Sequence, residues 1–105
     1  MSLDDRDLRV AVAKGVIQAL CNKYNMKGAC DRIFSTYESM LRDIEKDSMS
    51  DLVEDAFSFC AAVSWLESVV MMDTVDYDSL RENVKVLEKA VIGRAVERDH
   101  EHGVL

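Results

Sequence analysis

The chain contains no proline in its 105 residues, and this absence restricts the possible folds more than any other feature. Proline breaks helix interiors and punctuates loops, and an average protein of this length would contain about five. Glycine, the other common helix breaker, occurs only four times. The sequence therefore predicts long α-helices joined by short links.

Hydrophobic periodicity divides the chain into four helical segments. Apolar residues recur in steps of three and four, which places them on one face of a helix. The second segment is the clearest example, and its predicted polar face includes Asp43. The third and fourth segments begin with capping-box patterns, in which a serine precedes an acid by three residues. The serines are Ser48 and Ser79. The predicted helices cover residues 4–24, 29–46, 49–72 and 79–98, and residues 99–105 are expected to form a frayed tail.

The links between these helices are short, so helices that follow one another in the chain are expected to be antiparallel neighbours. We therefore predict an all-α fold, an antiparallel up-down-up-down four-helix bundle formed by residues 1–105 as one domain. A chain of this length can bury a hydrophobic core without disulfide bonds.

The third predicted helix is apolar on nearly every side. Between Asp55 and Glu67, serine is the only polar residue type. A helix of this kind is usually buried on several sides, so we expect Phe57, Trp65 and Leu66 to lie in the core. One bundle would not cover such a helix completely, and a large exposed apolar patch usually marks an interface. We therefore expect a homodimer.

The three cysteines are Cys21, Cys30 and Cys60. Their number is odd, no C-x-x-C motif occurs, and all three stand among apolar residues of predicted helices. They are expected to be buried, reduced thiols of a cytoplasmic protein. The first residues lack the apolar stretch of a signal peptide. The longest uncharged run, residues 56–66, is too short to span a bilayer.

The net charge of −7 disfavours binding to a phosphate backbone and favours a basic protein partner. No lysine or arginine occurs between residues 46 and 81. Within this interval Asp73, Asp76 and Asp78 surround Tyr77, and capping explains Asp76 and Asp78 better than Asp73. We predict a partner-binding site in which Tyr77 is an exposed anchor and the three aspartates steer a basic protein. In the alternative, Tyr77 folds back onto the core and the link is structural.

Catalytic and cofactor motifs are sparse. No glycine-rich phosphate loop, nucleophile arrangement or metal-ligand set is present, so no cofactor is expected. Arg94 and His100 have the R-x(4–6)-H spacing of HEPN-type helical ribonucleases, and this resemblance would make the histidine a base and the arginine a phosphate-stabilising group. Ala95 stands where that family usually has a polar residue.

Taken together, these features favour a small acidic non-enzymatic protein-interaction module, such as an adaptor, an inhibitor, an immunity-like protein or a chaperone-like protein. Two alternatives stay open. One is a HEPN-like ribonuclease that uses Arg94 and His100. The other is a purely structural dimerisation domain.

Overall fold

The structure, a computed structural model, describes residues 5–101, and in this range 92% of the residues are helical and none forms a strand. The four helices are α1 Asp5–Tyr24, α2 Lys27–Glu45, α3 Met49–Val70 and α4 Thr74–Glu101. Links of two or three residues reverse the chain after each of the first three helices. The helices form an antiparallel four-helix bundle, which confirms the predicted fold class.

The first two links end α1 and α2 with the same backbone motif. Asn25 has a φ of 58°, and the N–H of Met26 donates to the carbonyl of Cys21 at 2.8 Å. This left-handed residue followed by a bond back to the last turn is a Schellman motif. The geometry recurs at Asp47, whose φ is 55°. The motif closes the first link so tightly that α2 begins at Lys27, before the predicted residue 29.

The third link differs from the prediction. Helix α4 begins at Thr74, five residues before Ser79. Asp73 is its N-cap: the carboxylate oxygen Oδ1 accepts from the N–H of Asp76 at 3.0 Å, and the carbonyl accepts from the N–H of Tyr77 at 2.9 Å. The proposal that capping does not explain Asp73 is therefore wrong, since this acid precedes a helix instead of only following one.

Other predicted helix ends also need correction. Ser79 lies inside α4, where no cap is required. Ser48 does occupy the N-cap position of α3, but its side chain makes no capping hydrogen bond. Residues 99–101, expected in a frayed tail, are the last residues of α4. Residues 102–105 of that predicted tail lie outside the described residues.

The helices pair unevenly, and this pairing decides which surfaces stay open. Helix α2 packs most extensively on α3, and α1 packs most extensively on α4, whereas α3 meets α4 over a smaller area. All four helices contribute to one core, whose fully buried side chains include Ile17, Ile33, Leu66 and Leu87. Because α1 and α3 each have one main neighbour, each keeps a wide outward face.

Three residues of α3 were predicted to lie in the core, and only one of them does. Leu66 is fully buried, but Trp65 is 51% exposed and Phe57 is 74% exposed. The prediction fails because it assumed that an apolar helix would be covered on several sides. In the bundle α2 covers one side of α3, α4 touches a second side lightly, and the remaining side faces solvent.

The three cysteines also differ in burial. Cys21 and Cys30 are buried, but Cys60 is exposed on α3, contrary to expectation. Burial, helped by a hydrogen bond with Cys30, raises the pKa of the Cys21 thiol to about 12. Burial also raises the pKa of Cys30, whose Sγ donates to Oε1 of Gln18 at 3.4 Å. The two buried thiols are therefore protonated and unreactive in the folded protein.

Candidate functional site

The outward side of α3 carries a continuous surface without charge, which we call the α3 face. Its residues follow helical spacings of three and four along the solvent side of the helix. They are Met49, Val53, Phe57, Cys60, Ala61, Ser64 and Trp65, all exposed. Soluble monomers rarely leave several large apolar side chains together in solvent, so this surface is a candidate interface.

Trp65 marks the edge of the α3 face that borders α2. A Cβ atom placed on Gly28 would lie 3.5 Å from Cη2 of the indole, so the ring rests beside the first turn of α2. About half of the side chain, 51%, still faces solvent. An aromatic ring supported on one side and open on the other has the form of a preorganised binding anchor.

The other edge of the α3 face borders a groove between α3 and α4. At mid-length the groove opens into an apolar cavity of about 250 Å³. Ala56 and Cys60 of α3 form one wall, Val91 and Ile92 of α4 form the other, and Met40 of α2 lies at the floor. Ile92 is 62% exposed, so apolar surface continues from the α3 face across the groove onto α4.

Charged groups of both signs border this apolar surface. Toward the C-terminus of α3, Nη1 of Arg81 pairs with Oε2 of Glu67 at 3.0 Å, and Lys85 lines the groove beside them. Toward the N-terminus of α3, Glu54 is exposed on the same helix. Glu88 of α4 lines both the part of the groove beside Lys85 and the apolar cavity, so groups of both signs border the surface along α4.

One carboxyl group is buried between α2 and α3, and sequence periodicity did not find it. Asp43 is 6% exposed, and within residues 5–101 its Oδ2 atom has no hydrogen-bond partner. Burial, together with the adjacent Asp55 carboxyl, raises the pKa of Asp43 from 3.8 to about 6. Between about pH 4 and 6, the Asp43 carboxyl is therefore protonated in the folded protein and ionised in the unfolded chain. Stability from this group is lost as the pH rises through about 6.

The four residues of the predicted partner site do lie together at one pole, but three have contacts within the chain. Asp73 caps α4, and Tyr77 is half-buried and packs against the core. Asp76 accepts from Nζ of Lys23 at 2.7 Å and from the hydroxyl of a tyrosine in α1, and these bonds lower its pKa. Asp78 is exposed. These contacts favour the structural interpretation of the link, and partner binding by these residues stays a prediction.

The residues of the ribonuclease hypothesis lie near the end of α4. Nε of Arg94 donates to Oε1 of Glu45 at 2.7 Å, and its Nη groups donate to Glu101 at 3.2 and 3.4 Å. The hydrogen bonds to Glu101 and Glu45 raise the pKa of Arg94. His100 is exposed six residues later. A phosphate that approached Arg94 would have to displace two carboxylates, so the structure gives this alternative no support.

Among residues 5–101, no group of three or more histidine, cysteine, aspartate or glutamate side chains is placed to hold a metal ion. No helix in that range is both long and apolar enough to cross a membrane. Comparison of the chain with protein-family models, with curated proteins and with solved structures finds no match.

Proposed function

We propose that this chain is a non-enzymatic protein-interaction module that binds another polypeptide through the α3 face. The observation that carries the proposal is Phe57, which stands 74% exposed in the middle of that uncharged surface. Interfaces are anchored by a few large residues near their centre, and aromatic residues are enriched among these anchors. If a partner covers Phe57 in a complex, its side chain should be exposed to solvent in the free protein.

The two aromatic residues have enough exposed area to drive binding. A phenylalanine or tryptophan side chain buries about 150–250 Å² when fully covered. With Phe57 74% and Trp65 51% exposed, a partner would remove on the order of 200–300 Å² of their surface from water. At about 25 cal/mol per Å² this contributes roughly 5–7 kcal/mol before the entropy cost of association.

Charge and thiol chemistry support the rest of the proposal. The net charge of −7 attracts a basic protein at long range and raises its association rate. Cys21 and Cys30 are buried free thiols, which suits a reducing compartment, and we place the protein in the cytoplasm. Adaptor, inhibitor, immunity-like and chaperone-like roles all use such a surface.

A photo-crosslinking residue at position 57, introduced in the native host, tests the proposal. The matched control carries the same residue at position 35, where Ser35 is exposed on α2. We expect a discrete protein adduct from position 57 and none from position 35. The adducted protein, once purified, should bind the wild-type chain at least tenfold more tightly than Phe57→Asp in a calorimetric titration. A folded protein that forms no adduct at position 57 would refute the proposed function.

A further inference from the structure

We infer that the polypeptide that covers the α3 face also places a guanidinium or ammonium group in a recess at the α2–α3 link, where Asp43 is its counter-ion. This inference rests on the proposed function, and it specifies the chemistry of the partner. Met49, the first residue of the α3 face, also lines the recess. Phe57 follows Met49 by eight residues, or roughly 12 Å along the helix, so one partner segment can reach both places.

The recess lies between the C-terminal end of α2, the first turn of α3 and the last turns of α4. Its volume is about 240 Å³. Pockets for drug-sized ligands have about 300–1,000 Å³, so the recess has the size for a single side chain. Ile44, Leu52 and Ala95 give it apolar walls. The alkyl stem of lysine or arginine packs on apolar surface of this kind while the charged end is directed to polar groups.

Asp43 lines the recess with a carboxyl group whose hydrogen-bonding capacity the chain does not use. The side chain is more than nine-tenths buried, and within residues 5–101 no group donates to its Oδ2 atom. Buried polar atoms nearly always have a partner, so an exception points to a group that is supplied from outside. Rotation about the carboxyl torsion of an aspartate is broad, so either oxygen can turn toward the recess at small cost.

The charges around Asp43 favour a cation. Burial and then the carboxyls of Asp55 and Asp51 raise the pKa of Asp43. Lys46 lowers it, but by less. A second copy of this chain has the same net charge of −7, so a basic polypeptide fits the recess better than the homodimer, which stays a prediction. The charged groups that face Asp43 or line the recess are Lys46, Asp47, Asp51, Asp55, Arg98 and Asp99.

Arg98 lines the recess, but its charged end is held by other groups. Its Nη2 donates to the carbonyl of Glu45 at 3.0 Å and to the carboxylate of Asp47 at 3.4 Å. Its Nε is buried and has no partner in the part of the chain that the structure describes. The recess therefore has an unused donor as well as an unused acceptor, and a backbone carbonyl of the partner segment can accept from that donor.

A single water molecule between Oδ2 of Asp43 and Nε of Arg98 is the rival explanation. Water would satisfy both atoms without neutralising the carboxylate, whereas a cation would also neutralise it. A cation must therefore prefer the ionised form of Asp43, and its binding must depend on pH. An uncharged occupant has no such requirement.

The size of this pH dependence follows from the pKa of Asp43, which is raised to about 6. The carboxyl is then ionised in about one molecule in eleven at pH 5 and in nearly all molecules at pH 7.5. The apparent dissociation constant of a ligand varies inversely with the fraction of protein that can bind it. A cation should therefore bind about tenfold more tightly at pH 7.5 than at pH 5.

Titration with n-butylguanidinium chloride, followed by amide chemical shifts in NMR spectra, tests the recess without the partner. Sodium chloride at equal concentration controls for ionic strength, and sodium n-butanesulfonate tests for an anion site. We expect saturable shifts at the recess walls, at Ile44, Leu52 and Ala95, with a dissociation constant in the millimolar range at pH 7.5. Binding should be about tenfold weaker at pH 5.

Two variants that each remove one acid from α2 complete the test. Asp43→Asn should weaken binding of n-butylguanidinium about tenfold or more at pH 7.5 and should abolish its pH dependence. Asp31→Asn, at an exposed position of the same helix, should stay within about twofold of wild type because it changes only the long-range charge. Asp43→Asn is expected to stabilise the free fold, so weaker binding by this variant would not result from unfolding.

Three results would overturn the inference: no saturable shift at the recess, tighter binding of n-butanesulfonate than of n-butylguanidinium, or a pH dependence that survives in Asp43→Asn. None of these depends on the crosslink at position 57, so failure of the recess is distinct from failure of the proposed function.

The protein captured at position 57 tests the source of the cation. Asp43→Asn should weaken its binding about tenfold or more, and Asp31→Asn by less than about twofold. Equal binding by wild type and Asp43→Asn would overturn the inference, because the recess would then take a free small cation, and it would leave the interaction module intact. Absence of any adduct at position 57 would refute the proposed function and, with it, the assignment of the cation to that partner.

Discussion

Two phenylalanines of α3 allow a direct measurement of how much of this helix the bundle covers. Phe57 is 74% exposed, whereas Phe59, two residues later, is 2% exposed and belongs to the core cluster. Truncation to alanine changes helix propensity equally at both positions, since both lie inside the same helix. The difference between the two variants therefore reports burial alone.

The structure predicts a large difference. A fully buried phenylalanine removes about 150–250 Å² from water, worth roughly 4–6 kcal/mol at 25 cal/mol per Å², and truncations of buried aromatics typically cost about 3–5 kcal/mol. Phe59→Ala should therefore lower the free energy of unfolding by about 3–5 kcal/mol. Only a quarter of Phe57 is covered, so Phe57→Ala should cost about 1 kcal/mol or less.

Urea denaturation followed by far-UV circular dichroism would measure both values. In a thermal scan Phe59→Ala should lower Tm by roughly 12–20 °C, and Phe57→Ala by less than about 5 °C. Equal destabilisation by the two truncations would refute the reasoning, because it would mean that the bundle itself covers the α3 face.

Three further outcomes follow from the structure. Asp43→Asn should raise the free energy of unfolding by about 1–3 kcal/mol near pH 7.5 and by much less near pH 4, because burial raises the pKa of Asp43 to about 6 and so makes its ionised form unfavourable in the fold. Urea titrations that show an equal change at both pH values would contradict this. Cys60 should react rapidly with a thiol reagent in the native protein while the two buried cysteines react only on unfolding, and mass spectrometry that finds all three labelled together would count against the assigned burial. Asp73→Ala should cost about 1 kcal/mol through loss of the helix cap, and an unchanged urea midpoint would show that the cap is unimportant.

The sequence by itself determined the number, type and order of the helices, because these depend on local signals. The absence of proline and the three-and-four spacing of apolar residues act within one or two helical turns. Asparagine tolerates a left-handed conformation better than most residues, and Asn25 adopts one with a φ of 58° at the end of α1. Links this short then leave antiparallel neighbours as the simplest arrangement, so the bundle itself was predictable.

The start of α4 shows where local signals stop being decisive. Asp73 and Ser79 both precede an acid by three residues, and either could cap a helix. The earlier start places Asp76 in the first turn of α4, within reach of Lys23 and the Tyr24 hydroxyl of α1. Those residues are more than fifty positions away in the chain, so no local pattern could reveal the contact.

Tertiary structure alone decided which sides of the helices are covered. Helix α3 is apolar on almost every side, so its sequence holds no asymmetry that would show that Leu66 faces the core while Trp65 and Phe57 face solvent. Asp43 reads as a residue of a polar face, yet the close packing of α2 on α3 buries it. Periodicity reports how the residues of one helix are arranged around its axis. Coverage depends on where the other helices lie, and that is set by the packing of the whole bundle.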